Sequence, residues 1–166
     1  MSYWKLFYHF VWATKQRQPL ITPKIEPMVH NYLRVKALGL EAKVFAVNGT
    51  EDHVHMVVTI PPKLAVATFI GQVKAVASAK LNQLVGEGSL FWQDEYGVFS
   101  FDAKRLPNYV AYVENKKTHH AQHSVIPILE RTIDEDVKAM RDDQPIYGFE
   151  SSQWREELIA MPNDLS

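Results

Sequence analysis

The stretch EDHVHMVVTI, residues 51–60, decides the fold and carries the most informative residues of the chain. Its apolar and β-branched residues predict a strand, in which residues two apart point to the same face of a sheet. His53 and His55 therefore share one face. The opposite face carries Val54, Met56 and Val58. Two neutral imidazoles about 7 Å apart along a strand can converge on one divalent metal. Many such histidine pairs bind no metal, so other parts of the chain are needed to judge whether this pair is a metal site.

Strand and helix patterns alternate on both sides of this stretch. The predicted strands cover residues 3–13, 41–48, 53–60 and 98–101, and the predicted helices cover 23–38, 64–85 and 107–122. The short turn Asn48–Asp52 makes a hairpin of the second and third strands. The order β-α-β-β-α-β-α predicts an α+β fold of the ferredoxin-like, split βαβ type, with an antiparallel sheet and two helices on one face. A third helix and a C-terminal tail follow, and the second sheet face is left for a ligand, a partner or that helix.

Local signals predict where the helices begin and which way they face. Thr22-Pro23 reads as an N-cap followed by proline in the first turn, and Gly39 reads as the end of that helix. In the second helix the apolar positions face inward, and Lys74 and Lys80 are expected to face outward.

Length and composition predict a soluble domain with a real core. The chain has 166 residues, of which 46% are hydrophobic and 22% charged, as in ordinary globular proteins. It contains neither an apolar run long enough to span a membrane nor the pattern of a signal peptide. Because it has no cysteine, thiolate metal sites and disulfides are excluded and a cytoplasmic location is expected.

Charge divides the chain into two parts. Residues 1–129 hold 14 Lys+Arg and 9 Asp+Glu, a balance of +5, whereas residues 130–166 hold 4 and 10, a balance of −6. We therefore expect a mildly basic domain over 1–129 and an acidic C-terminal helix and tail over 130–166, with an amphipathic helix at 128–141. The acidic part either masks a phosphate-binding face in the whole-chain charge or is a solvated tail with no special role.

The third predicted helix brings a tyrosine and a lysine together. Tyr112 and Lys116 are four residues apart and share a helix face, with Tyr109 close to it. A phenol has a pKa near 10 and is a poor nucleophile at neutral pH, so a neighbouring cation or a metal-polarised phosphate would have to assist it. On spacing alone, packing in an amphipathic helix is the favoured explanation of both tyrosines.

Several segments together resemble the single-tyrosine transposases of small bacterial insertion sequences, including their REP-associated relatives. These belong to the HUH nuclease superfamily, which is defined by a histidine–hydrophobic–histidine motif. The resemblance rests on His53-Val54-His55, on Trp92-Gln93-Asp94-Glu95-Tyr96-Gly97-Val98-Phe99-Ser100, on Tyr112-Val113-Glu114-Asn115 and on His119-His120. Residues 8–17 are also similar to that family's first strand and basic loop, so the resemblance covers roughly residues 3–123.

This resemblance implies a metal-dependent transposase that cleaves and rejoins single-stranded DNA through a 5′-phosphotyrosine intermediate. In the family, Mg²⁺ or Mn²⁺ is held by the two motif histidines and a glutamine on the tyrosine helix. Carried over by position, His53 and His55 are the metal ligands and Tyr112 is the nucleophile. The implied partners are single-stranded DNA with hairpin ends and a second copy of the chain in a homodimer.

One residue departs from the family pattern. The family glutamine falls four residues after the tyrosine, where this chain has Lys116, and an ammonium group has no lone pair for a metal. Glu114 or Asn115 could supply an oxygen instead, or Lys116 could turn away and leave two histidines, phosphate and water. Lys116 could also neutralise the phosphate itself. Finally, the protein could be a non-cleaving relative that binds single-stranded DNA hairpins.

Other residues have open assignments. Backbone contacts to DNA are predicted for Lys15, Arg17, Lys104, Arg105, Lys116 and Lys117. Trp92 and Tyr96 either stack on unpaired bases or pack in the core. Asp52 either orients an imidazole or shapes a turn. His119 and His123 have metal-like spacing, but a phosphate contact or packing at a helix end is the favoured interpretation. A ferredoxin-like metal hydrolase unrelated to the transposases, using His53 and His55 on a small substrate, is a further alternative.

Overall fold

The fold, obtained as a computed structural model, is described here for residues 2–117 and is built on one antiparallel sheet. The strands are β1 (Phe7–Ala13), β2 (Lys43–Gly49), β3 (His53–Thr59) and β4 (Gly97–Phe101), and the helices are α1 (Glu26–Gly39), α2 (Val66–Val85) and α3 (Leu106–Glu114). Short 3₁₀ turns lie at Lys15–Arg17 and Ala103–Arg105. The strand order β2-β3-β1-β4, with every pairing antiparallel, confirms the predicted ferredoxin-like α+β fold.

Strand alternation sorts residues onto the two faces of the sheet as predicted. On one face, β1 and β3 place Phe10 opposite Met56 and Trp12 opposite Val54, and these side chains are fully buried with α1 and α2. Phe10 and Phe69 of α2 lie 5.5 Å apart between ring centroids. Burying each such side chain contributes about 1.5–3 kcal/mol, so this face is the main core.

The other face of the sheet is covered by α3. A second buried cluster joins Tyr112 and Val113 of α3 to Ala46 of β2 and Val57 of β3. Asn48 fastens the helix end, because its side-chain amide donates to the Glu114 carbonyl at 2.9 Å. The sheet face that carries His53 and His55 therefore lies beneath the tyrosine helix.

Two predicted elements begin three or more residues later than expected. The first strand begins at Phe7 rather than at residue 3. The first helix begins at Glu26, with Pro27 in its first turn, and not at Thr22-Pro23. Residues 23–25 form a turn in which Thr22 acts through its backbone carbonyl, which accepts from the amides of Ile25 and Glu26. A proline is tolerated in the first helical turn because its missing N–H would have no intrahelical partner there, and Pro27 fills that role as well as Pro23 would.

Lys74 corrects the predicted polarity of α2. It faces inward and is almost fully buried, and its Nζ donates to the carbonyls of Gln93 at 2.6 Å, Asp94 at 3.2 Å and Glu95 at 3.4 Å. Burial lowers the pKa of this lysine, although Asp94 and Glu95 partly oppose the shift. The segment before β4 turns its carbonyls toward α2, so an ammonium group is the partner that satisfies them.

Trp92 and Tyr96 belong to the same packed region. Both pack against the main core, and the Trp92 indole donates to the Lys74 carbonyl at 2.9 Å. Of the two assignments left open for these residues, the packing role is the one their contacts support.

Replacing Lys74 by methionine should destabilise the protein by about 1–3 kcal/mol, because three carbonyls lose their partner. Urea unfolding measures this, and hydrogen exchange should accelerate over residues 93–96. Lys80→Met is the matched control, since Lys80 lies exposed on the same helix and its loss should change stability by less than about 0.5 kcal/mol. Equal urea midpoints for the two variants would show that the hydrogen bonds from Lys74 do not stabilise the fold.

Some predictions concern parts of the chain outside residues 2–117. They are the acidic domain 130–166, the helix at 128–141, the end of the third predicted helix, and His119, His120 and His123. Within residues 2–117 no helix has the length and apolar character needed to cross a membrane.

Candidate active site

The two predicted metal ligands lie side by side beneath α3. His55 is fully buried and His53 is 3% exposed, and their ring centroids are 5.2 Å apart with the planes at 72°. The predicted shared face is confirmed, because Val54, Met56 and Val58 lie in the opposite, main core.

The turn before β3 fixes the orientation of His53. The His53 Nδ1 lies 2.6 Å from Asp52 Oδ1 and 2.8 Å from Thr50 Oγ1, and the Thr50 hydroxyl also donates to Asp52 Oδ1 at 3.0 Å. Partial burial is the largest single effect and opposes ionisation of Asp52, but the hydrogen bonds from His53 and Thr50 and the charges of His53 and Arg17 together outweigh it, so the pKa of Asp52 is lowered. An ionised Asp52 only accepts, so His53 donates from Nδ1.

His53 is held in its neutral form. Burial is the largest effect on the pKa of His53 and lowers it; Asp52 raises it, Lys116 and Arg17 lower it further, and the pKa lies below its usual value. A neutral ring that carries its proton on Nδ1 has its lone pair on Nε2, which is the form in which an imidazole binds a metal. The contact between Asp52 and His53 therefore supports the orienting role considered for Asp52.

His9 is a site residue that the sequence analysis missed. It is fully buried on β1, its Nε2 is 2.8 Å from His55 Nδ1, and the two ring centroids are 5.0 Å apart. Burial first, then the neighbouring His55 and Lys116, hold the pKa of His9 far below its usual 6.5. The available signal was a lone histidine inside an otherwise apolar strand, but its partner depends on the β1–β3 register.

Tyr112 faces this histidine cluster from α3. Its ring centroid lies 6.2 Å from that of His55 and 6.3 Å from that of His9, edge-on to both. Lys116, one turn later, donates from Nζ to Tyr112 Oη at 3.2 Å, and that Nζ lies 4.8 Å from the tyrosine ring centroid. The predicted shared face of Tyr112 and Lys116 is therefore present.

Lys116 is fully buried, and burial lowers its pKa to about 7. Its burial and its hydrogen bond to Tyr112 Oη keep Lys116 beside the tyrosine, so the alternative in which this side chain turns away does not fit the structure. Near neutral pH, Lys116 is divided between an ammonium group and an amine that has a lone pair. Its burial also separates it from the surface lysines with which it was grouped as a DNA contact.

Tyr109 occupies a different environment. It is partly exposed, and its ring stacks on Phe101 of β4 with centroids 4.0 Å apart and planes at 10°. Its ring is 5.8 Å from that of His9. Tyr109 thus packs at the β4 side, whereas Tyr112 pairs with the buried lysine.

The donor set that a metal would meet is partial. Within residues 2–117, no group of three or more histidine, aspartate or glutamate side chains is arranged to hold a metal ion. Glu114, considered above as a third ligand, therefore does not join His53 and His55 in such a group. Asn115 is exposed and its amide donates to the Ala111 carbonyl. His53 and His55 nevertheless fit as two ligands of a divalent cation, because their imidazoles lie side by side on one face; phosphate oxygens and water can complete such a shell.

The other predicted DNA contacts lie at two turns and one helix end. Lys15, Arg17, Lys104 and Arg105 are exposed, and Arg17 lies 3.9 Å from Asp52 Oδ2. Lys117 Nζ is 2.7 Å from Glu26 Oε1 and 2.8 Å from Asn48 Oδ1. Their contacts with DNA stay predictions.

The chain is a ferredoxin-like α+β protein whose sheet carries a buried histidine pair beneath a tyrosine helix. Comparison with known proteins identifies its family. The chain belongs to the IS200-like transposases, because the family model described as "Transposase IS200 like" matches residues 2–116. The predicted family is confirmed, and a metal hydrolase unrelated to the transposases is excluded.

Individual relatives agree with this assignment. The transposase for insertion sequence element IS200 of Salmonella typhimurium is 30% identical over 84 residues, which are 51% of this chain and 55% of that protein. The ISDra2 transposase TnpA of Deinococcus radiodurans is 22% identical over 120 residues, covering 68% and 85%. The chain thus spans about half the length of the IS200 relative that it matches.

Two solved structures share the fold. A protein from Deinococcus radiodurans, described as a candidate transposase, has a TM-score of 0.57 at 21% identity and covers 69% of this chain and 93% of its own. A REP-associated tyrosine transposase bound to a REP hairpin has a TM-score of 0.54 at 14% identity, with coverage of 89% and 100%.

Proposed function

We propose that this protein is a transposase that cleaves and rejoins single-stranded DNA through a 5′-phosphotyrosine linkage on Tyr112. The observation that carries the proposal is the pairing of Tyr112 Oη with the buried Lys116 Nζ at 3.2 Å, above two buried histidines. Membership of the IS200-like transposase family supports the reaction class.

In the cleavage step, Tyr112 Oη attacks the scissile phosphorus and the bond from phosphorus to the 3′ oxygen breaks. The phenolic proton passes to Lys116 Nζ in its amine form, and the departing 3′ oxygen takes a proton from water. In rejoining, a 3′-hydroxyl attacks the phosphotyrosine and gives its proton to water, the bond from phosphorus to Tyr112 Oη breaks, and the departing Oη takes back the proton that Lys116 holds. One phosphodiester is exchanged for another, so the cycle needs no nucleotide cofactor.

His53 and His55 would hold Mg²⁺ or Mn²⁺ through their Nε2 atoms. A metal in that position supplies Lewis-acid polarisation of the phosphate oxygens. Asp52 keeps His53 in the required tautomer, and the protonated form of Lys116 adds positive charge on the tyrosine side of the site. With two protein imidazoles as ligands, we expect metal affinity to be low until phosphate oxygens contribute.

The proposed partners are single-stranded DNA with hairpin ends and a second copy of the chain. Of the predicted DNA contacts, the exposed residues Lys15, Arg17, Lys104, Arg105 and Lys117 would contact the DNA backbone, so binding should weaken with salt. The homodimer and the cytoplasmic location are inferred from the family resemblance and the lack of cysteine.

Covalent trapping tests the proposal. Single-stranded oligonucleotides that tile the DNA on both sides of the gene, hairpins included, are incubated with the protein and Mn²⁺ or Mg²⁺. A 3′-labelled strand should migrate with the protein on a denaturing gel, because the link is to the 5′ phosphate, whereas a 5′-labelled strand should give a shortened, protein-free product. Mass spectrometry should place the modification on Tyr112; attachment to another residue would overturn the assignment.

A second candidate function follows from Lys116 itself. A lysine beside the tyrosine, with no three-residue His/Asp/Glu set within residues 2–117, also suits a relative that binds hairpins without cleaving them. It predicts salt-sensitive binding with no adduct under either metal, and an adduct gained by Lys116→Gln.

A further inference from the structure

His9 and His55 share one hydrogen bond between two nitrogens, and this leaves two proton arrangements. The His9 Nε2 and the His55 Nδ1 are 2.8 Å apart, and both side chains are fully buried. In the first arrangement His9 donates, and a neutral His55 carries its own proton on Nε2. In the second, His55 donates from Nδ1, and its lone pair is on Nε2.

Only the second arrangement lets His55 act as a ligand through Nε2, and it has a consequence for His9. A neutral His9 that accepts at Nε2 must carry its proton on Nδ1. That Nδ1 is buried and has no hydrogen-bond partner among residues 2–117. A buried N–H without a partner is rarer in proteins than a buried acceptor without one. The pair without a cation should therefore prefer the first arrangement.

We propose that His9 is a positioning residue that sets the tautomer of His55. When a divalent cation binds at His55, the shared proton passes from His9 Nε2 to His55 Nδ1, the proton on His55 Nε2 is released to water, and His9 Nδ1 takes up one proton from water. This rests on the proposed function only in taking His55 as a cation ligand. Asp52 keeps the Nε2 lone pair of His53 available to a metal whether or not one is bound. His9, by contrast, makes the Nε2 lone pair of His55 available only when the cation binds.

Two substitutions of His9 distinguish a role in setting the tautomer of His55 from a role in packing alone. His9→Gln brings an amide oxygen near the position of Nε2, where it can accept from His55 as the ring nitrogen of His9 does, although its amide N–H groups then lie in the same buried surroundings as Nδ1. His9→Phe keeps an aromatic ring of similar size but offers no acceptor. Loss of such an outer partner typically weakens metal binding by about 10–100-fold. We therefore expect His9→Gln to bind Mn²⁺ about as tightly as the unmodified protein, and the affinity of His9→Phe to fall by at least about 10-fold.

The experiment combines calorimetry with Mn²⁺ and ¹⁵N NMR of the histidine rings, on the full chain without DNA. Without cation, His55 should be protonated on Nε2; adding Zn²⁺, which is diamagnetic, should move the His9 proton to Nδ1. His30→Phe, on α1, is the matched control and should bind Mn²⁺ normally. Three results would each overturn the proposal. They are an Mn²⁺ affinity of His9→Phe equal to that of the unmodified protein, no Mn²⁺ binding by the unmodified protein or by His9→Gln, and a His9 tautomer that Zn²⁺ leaves unchanged. Neither readout involves Tyr112, so failure of the adduct assay would be a separate result.

Discussion

Replacing Tyr112 by phenylalanine should abolish the covalent DNA adduct, with a loss of at least about 10³-fold, as expected when a nucleophile is removed. The variant keeps the ring that lies edge-on to His9 and His55 and loses the Oη bonded to Lys116. The fold should therefore survive, and binding of the DNA hairpin should be nearly unchanged. The measurement is adduct formation on a denaturing gel beside a gel shift at the same protein concentration.

Tyr109→Phe is the matched control, because it removes the same hydroxyl from the neighbouring tyrosine. The Tyr109 ring stacks on Phe101, a contact that a phenyl ring can also make, so adduct formation should stay within about 2-fold. A full adduct in Tyr112→Phe, or its loss in Tyr109→Phe, would reject Tyr112 as the nucleophile.

Replacing Lys116 by methionine should change stability and activity in opposite directions. Burial lowers the pKa of Lys116 from 10.5 to about 7, so the unfolded chain binds a proton more readily than the folded protein between these values. Stability should therefore rise as the pH increases from about 7 toward 10.5, and it stays at its lower level below pH 7. Lys116→Met removes this dependence and should be more stable than the unmodified protein at pH 6, by about 1–4 kcal/mol.

The same substitution should slow adduct formation by at least about 100-fold, since Tyr112 loses its proton acceptor. Urea unfolding at pH 6, 8 and 10 and adduct kinetics at pH 8 measure the two effects. Lys80→Met, at an exposed position of α2, should alter neither. A Lys116→Met protein that keeps the unmodified rate of adduct formation would show that Lys116 is only a packing residue.

Much of the candidate site could be predicted because its pattern is local. Alternation along β3 was enough to place His53 and His55 on one face, and helical spacing was enough to pair Tyr112 with Lys116. The family resemblance added which of these residues to consider together. The states of the side chains could not be predicted in this way, since burial and hydrogen bonding come from segments distant in sequence.

Lys116 and Lys74 illustrate the difference. Both looked like helix-surface cations in the sequence, yet both are buried. Lys74 is drawn inward by the carbonyls of residues 93–95, and Lys116 is enclosed because α3 packs on the histidine face of the sheet. Neither neighbour can be read from the helix that carries the lysine.

The sequence by itself determined the order of strands and helices, the shared face of the two motif histidines and the family of the chain, because strand alternation, helical period and motif order are properties of short segments. Only the tertiary structure decided that His9 pairs with His55, that Asp52 orients His53 and that Lys116 meets Tyr112 as a buried lysine. The physical reason is that these contacts depend on the β1–β3 register, on the turn into β3 and on where α3 crosses the sheet, and the burial produced there sets which groups are charged.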